Sequence, residues 1–230
     1  MTRNTDKLIH ALSDNLQPVR SIRRPWMRTA LWLAILFPYI AILLVVMAPR
    51  HNLSTRIWDP RFQIELAFAF ATGIASVLAA FASVIPGPRR RLWVWPLIPL
   101  AGWLATIGEG CVRAGVAGIT FDHDLTCFPF ILVFGTVPAI VLWLMLRKGA
   151  PMTPRMTVAL GALGAAGLGN FCVRLGHPED VSLMLLVWHV GGVFLLTAIT
   201  SFAGRSLLTW KSLREIPLPK GEGGSRSRAG

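Results

Sequence analysis

The sequence predicts an all-α integral membrane protein with six transmembrane helices and both termini cytoplasmic. Two observations carry that prediction. Six apolar runs, roughly Thr29 to Ala48, Ile64 to Ile85, Leu92 to Cys111, Cys127 to Leu146, Met156 to Cys172 and Ser182 to Ala203, each approach the ~20 residues a helix needs to cross a ~30 Å hydrocarbon layer. Basic residues sort between alternate gaps: 18 of the 23 Lys and Arg lie in the N-terminal arm, the second and fourth loops and the C-terminal tail, against 5 in the other three loops. Cytoplasmic segments carry such an excess, which makes the chain a multi-pass membrane protein, N-in and C-in.

Three regions follow: an arm over 1–28, a membrane domain over 29–204 and a tail over 205–230. With 230 residues, 53% apolar content and nine Trp, the chain leaves no room for a separate soluble domain of ordinary size. The first apolar run starts only at Thr29 and is of spanning length, so it is expected to stay as an anchor and not to be cleaved as a signal peptide. The net charge of +12 gathers on the cytoplasmic face. Topology and attraction to anionic lipid account for it without direct nucleic-acid binding.

Within the runs, Trp26, Trp32, Trp93, Trp95, Trp143 and Trp210 fall near interfaces, where amphipathic rings are favoured. Pro38, Pro96, Pro99, Pro129 and Pro138 predict kinks. Gly161, Ala165 and Gly169 form a small-xxx-small face that predicts a centrally packed fifth helix, and Gly191 and Gly192 serve the sixth in the same way. The tail beyond Pro217 is rich in Gly, Ser and Arg, a composition expected to be disordered.

The arm holds a short amphipathic helix, Asp6 to Leu16. Thr5 or Asp6 caps it, Leu8, Ile9, Leu12 and Leu16 line one face, and Pro18 ends it. A helix this short is marginal alone, so it is expected to fold against something. Lipid is one candidate. The polar face, however, has a single Lys and carries Asp6 and Asp14, and the basic cluster Arg20, Arg23, Arg24 and Arg28 comes after it, which favours an apolar groove on a protein partner.

All three cysteines, Cys111, Cys127 and Cys172, fall at outward ends of runs, near Glu109, Asp122, His123, Asp124, His177, Glu179 and Asp180. If the membrane is a bacterial inner membrane, this face meets the oxidising periplasm, where thiols can pair or meet metal ions, whereas each Cys taken alone reads first as a small apolar filler. No C-x-x-C or H-x-x-x-H pair occurs, so a zinc ribbon is excluded. His189 in the sixth run reads as a neutral packed imidazole, and Arg174 is expected to snorkel outward or to pair with Glu179 or Asp180. Without a nucleotide loop, a nucleophile elbow, paired mid-membrane carboxylates or a haem-binding His pair, the chain is not expected to be an enzyme. A small transporter or metal exporter is the alternative, for which Thr72, Ser76, Asn170, His189 and Thr197 are the only interior polar path. A quinone-coupled thiol oxidoreductase is a weaker one, since its cysteines would be paired in a loop.

Several segments carry a resemblance: Lys7-Leu8-Ile9 through Leu16-Gln17-Pro18-Val19-Arg20, Arg23-Arg24-Pro25, Thr126-Cys127-Phe128-Pro129, Arg147-Lys148-Gly149-Ala150-Pro151, and His177-Pro178-Glu179-Asp180 followed by Val187-Trp188. From about residue 6 to about 210 the chain resembles the NrsF-type family, six-helix bacterial inner-membrane anti-sigma factors named as negative regulators of sigma-F. The resemblance implies that the arm holds an extracytoplasmic-function sigma factor away from core RNA polymerase, and that outward cysteines sense oxidative or heavy-metal stress. Cys127 matches one family cysteine. The second is expected just before Pro-Glu-Asp, where this chain has His177. Cys172 stands five residues earlier as a substitute, and Cys127 with His177 makes a soft-metal pair for a transient ion, with no resident cofactor implied.

Overall fold

The computed structural model describes residues 5–6, 9–10, 13–14, 22–46, 52–85, 90–114, 127–149 and 153–176, with single positions at 191, 195, 198, 199 and 202. Five long helices occupy these segments: α1 (Pro25–Val46), α2 (Pro60–Ala82), α3 (Leu97–Ala114), α4 (Cys127–Leu146) and α5 (Pro154–Gly176). A single helical turn, Leu53–Arg56, precedes α2, and a 3-10 turn, Arg90–Trp93, precedes α3. There is no strand among the described residues. The helices α1, α2 and α5 are long and apolar enough to cross a membrane, and the stretch Val133–Leu146 of α4 is a shorter apolar helix. This is compatible with an integral membrane protein.

Helix starts follow from proline and capping chemistry. Proline is tolerated at the first helical position, where its missing N–H would have no intrahelical partner, and α1, α2 and α5 all begin on one. At α2 the preceding Asp59 accepts from the Arg61 amide at 3.0 Å, an N-cap. The same rule shortens the third run. An α-helix from Leu92 would place Pro96 and Pro99 inside it, whereas the chain makes a 3-10 turn to Trp93 and begins α3 at Leu97, leaving Pro99 in the first turn. Pro129 is likewise in the first turn of α4. Among the described residues, only Pro38 and Pro138 lie deep inside their helices, α1 and α4.

Helix association in lipid has little hydrophobic drive and rests on close packing and interhelical hydrogen bonds. Of the three described helices long enough to span, α5 is the most enclosed; it packs against α1, α2 and α4, its contact with α2 being the most extensive. It does so with two small faces. Toward α4, a side chain added at Gly161 would meet Leu146 at 3.3 Å and one at Gly169 would meet the Gly135 Cα at 3.6 Å. Toward α2, a Cβ on Gly167 would stand 2.8 Å from the Gly73 amide nitrogen, and one on Gly164 would stand 2.5 Å from a Val77 methyl. The backbones of α2 and α5 are in contact at this crossing. Around it lies the main core of Trp32, Leu36, Val77, Phe81, Phe134, Leu142, Leu168 and Cys172, and a smaller cluster of Ala69, Leu100, Trp103 and Ile107 joins α2 to α3.

Candidate functional site

The helices alternate in direction, so α1 and α5 begin, and α2 and α4 end, at the side from which the N-terminal arm emerges. In that arm Thr5, Asp6, Ile9, His10, Ser13 and Asp14 are helical, and the Ser13 hydroxyl donates to the His10 carbonyl at 2.9 Å. Ile9 is 57% exposed. Leu8, Leu12 and Leu16 lie outside the described residues, so of the expected docking face only Ile9 is placed.

At the arm's root Ile22, Arg23 and Arg24 are exposed, but Arg28 is not. The sequence reading grouped Arg28 with the basic cluster. The structure turns it inward, 6% exposed, with its guanidinium 4.3 Å over the Phe81 ring and Nη2 donating to the Met145 carbonyl. Arg147 stacks in the same manner on Trp143, at 4.7 Å. An arginine is weakly hydrated and planar, so it lies on an aromatic face where a lysine would stay in water.

The opposite end is ionic. Arg56 pairs with Asp59 at 3.3 Å, and Glu109 takes Arg113 at 2.6 Å and Arg61 at 3.9 Å. Deeper, Arg174 of α5 donates to Glu65 of α2 at 2.9 Å, with side chains only 10% and 12% exposed. The Phe62 ring lies under the Arg174 guanidinium at 5.4 Å. This corrects the expectation that Arg174 snorkels outward: a carboxylate at matching depth on the adjacent helix meets the charge inside the bundle, while Glu179 and Asp180 lie outside the described residues. Sequence reasoning missed the pair. Its signal was present, since Glu65 lies five residues into α2 and Arg174 two residues from the end of α5, both counted from the same side.

Of the three cysteines of the expected outward cluster, only Cys172 has a described side chain. Cys172 is 1% exposed and packs within the main core, where it acts as a small apolar side chain. Cys111 lies in the last turn of α3 and Cys127 opens α4; their side chains, and His177 altogether, fall outside the described residues. Among the described residues no three His, Cys, Asp or Glu converge on a metal-sized site. Among the interior polar residues, Thr72 donates to the Phe68 carbonyl at 2.7 Å and Asn170 to the Ala166 carbonyl at 3.2 Å, while the Ser76 hydroxyl is buried without a hydrogen-bond partner among the described residues. His189 and Thr197 lie outside the described residues.

Between the two ends, α1 is tied to α4 by hydrogen bonds at three levels. Arg28 reaches the Met145 carbonyl, the Trp32 indole donates to the Pro138 carbonyl at 3.2 Å, and the Tyr39 hydroxyl donates to the Val133 carbonyl at 2.7 Å.

No curated protein and no solved structure matches the chain. The family model for NrsF, negative regulator of sigma F, matches residues 12–210, which spans α1 to α5 and most of the sequence. The chain belongs to the NrsF family of negative regulators of sigma F.

Proposed function

We propose that the chain is a multi-pass anti-sigma factor of the bacterial inner membrane whose cytoplasmic arm sequesters an extracytoplasmic-function sigma factor and releases it on oxidative or heavy-metal stress. The observation that carries this reading is Ile9, helical in the arm and 57% exposed. Leu8, Ile9, Leu12 and Leu16 form the face that docks in a groove of the sigma factor. The charge arrangement supports the orientation: described arginines at the end opposite the arm are paired with carboxylates, while exposed basic residues gather at the arm's root.

Cys127 receives the signal by oxidation of its thiol, or together with His177 by binding a soft metal ion. Cys111 is an accessory thiol, and Cys172 joins the response only after the end of α5 opens. To swing the sigma factor from mostly bound to mostly free, the modified state must disfavour docking by about 5.5 kcal/mol. A reaction at Cys127 supplies that only if the two helix arrangements differ in their affinity for the modification.

The test is recovery of the sigma factor with the full-length chain from solubilised membranes. Leu12→Asp with Leu16→Asp is expected to abolish retention while the protein remains in the membrane; equal retention removes the docking face and leaves the arm to the lipid surface. Cys127→Ser is expected to blunt induction of a sigma-dependent reporter by soft metals with basal repression unchanged. Normal induction removes Cys127 from the sensor.

A further inference from the structure

The three ties between α1 and α4 have a regular antiparallel register. Residues 28, 32 and 39 lie on one face of α1, four and seven positions apart, and address carbonyls at 145, 138 and 133 in that order. In the same register the Ala34–Pro38 turn of α1 lies opposite the Phe134–Pro138 turn of α4. Each proline deprives the carbonyl four residues earlier of its usual amide, so each helix has its weakest turn at the same level of the bundle.

The rungs sit on both sides of that weak level. Tyr39 grips α4 at Val133, toward Cys127, while Trp32 and Arg28 grip it at Pro138 and Met145, toward the arm. Apolar contacts between helices slide at little cost, but a hydrogen bond to a backbone carbonyl in hydrocarbon has no water to replace it. Any bend of α4 at Pro138 must therefore break the Tyr39 rung or carry α1 along. Trp32, Leu36, Phe134 and Pro138 are fully buried around this level, which favours discrete repacking over gradual deformation.

We propose that α1 is a strut braced across the Pro138 hinge of α4, and that it transmits displacement of the Cys127 end of α4 to the arm that α1 carries. This rests on the reading that Cys127 receives the signal and the arm delivers it. The rungs keep α1 and α4 in register in one state, and the paired proline turns are where the second state forms. Arg28 fixes the arm's root directly, because it stands only four residues beyond the exposed Arg24 and ties α1 to both α2 and α4.

The experiment uses the purified full-length chain in nanodiscs with no sigma factor, HgCl2 as the thiol probe, and the initial rate of tryptic cleavage after Arg20 and Arg23 as the readout of arm presentation. The Cys127→Ala counterpart subtracts the response of the other thiols. HgCl2 is expected to change the rate about fivefold or more through Cys127, the lower range of ordinary allosteric coupling. Tyr39→Phe with Trp32→Phe is expected to cancel that change with helix content intact, and Tyr39→Phe alone, which removes one oxygen, to reduce it. An undiminished response with the rungs removed, or no Cys127-dependent response in the intact chain, overturns the proposal. Sigma-factor retention is scored separately on the same preparations. A chain that couples through the rungs yet retains no sigma factor supports the strut and refutes the repressor reading.

Discussion

Replacing Glu65 by Gln preserves shape and removes one charge, and the consequence depends on where the Arg174 guanidinium is left. It lies 2.9 Å from Glu65 Oε2 with its side chain 10% exposed, over the Phe62 ring, on a helix whose neighbours are apolar. Deleting one partner of a buried pair costs about 3–5 kcal/mol, whereas an exposed pair is worth under about 1 kcal/mol. Glu65→Gln and Arg174→Met are therefore each expected to destabilise the bundle by about 3 kcal/mol. The double substitution is expected to recover much of the loss, because it removes both charges together. Reversible unfolding in mixed detergent micelles measures each arm of the double-mutant cycle. Arg113→Ala is the control: its bond to Glu109 is shorter, at 2.6 Å, but its side chain is 69% exposed, so its effect is expected below about 1 kcal/mol. Singles that cost under about 1 kcal/mol, or a double equal to their sum, refute the reasoning that burial and not distance sets the strength of these pairs.

Other substitutions test the packing. Gly167→Ala places a methyl 2.8 Å from the Gly73 amide nitrogen and 3.0 Å from the Ala69 carbonyl, both backbone, so α2 and α5 must part, at a cost of about 1–3 kcal/mol. Gly108→Ala meets nothing within 4 Å and is expected to be neutral or slightly stabilising in the same unfolding assay. Cys172, 1% exposed, is expected to resist N-ethylmaleimide in the folded protein and to react once the bundle is unfolded, read by mass spectrometry. Rapid labelling of the folded chain contradicts its place in the core.

Apolar periodicity and charge made the helical class and the positions of α1, α2 and α5 legible, because both depend on segment averages that a single residue does not upset. The small-residue character of α5 was legible too, but only half of its use. Gly161, Ala165 and Gly169 repeat every four residues and stand out, while Gly164 and Gly167, which touch the α2 backbone at Gly73, are spaced by three and become meaningful only once the partner helix is known. The start of α3 was misplaced because hydropathy runs straight through Trp93 to Pro96, whereas the missing proline amide governs the backbone. Pairings were the least legible. Glu65 with Arg174, and Arg28 with Met145 and Phe81, join residues far apart in sequence, and which helices are neighbours is decided by side-chain packing that no run of one sequence records. The expected sensor residues Cys127 and His177 were chosen from a family resemblance and not from geometry.

Sidedness is the premise on which the repressor reading depends, and cysteine labelling with a membrane-impermeant maleimide tests it directly. The chain carrying Ile9→Cys with Cys111, Cys127 and Cys172 replaced by alanine reports on the arm, and the chain retaining Cys127 alone reports on the start of α4. In intact spheroplasts Cys127 is expected to be labelled while the residue-9 thiol is labelled only in inverted vesicles. Labelling of residue 9 from outside intact spheroplasts contradicts a cytoplasmic arm, and with it the capture of a sigma factor there.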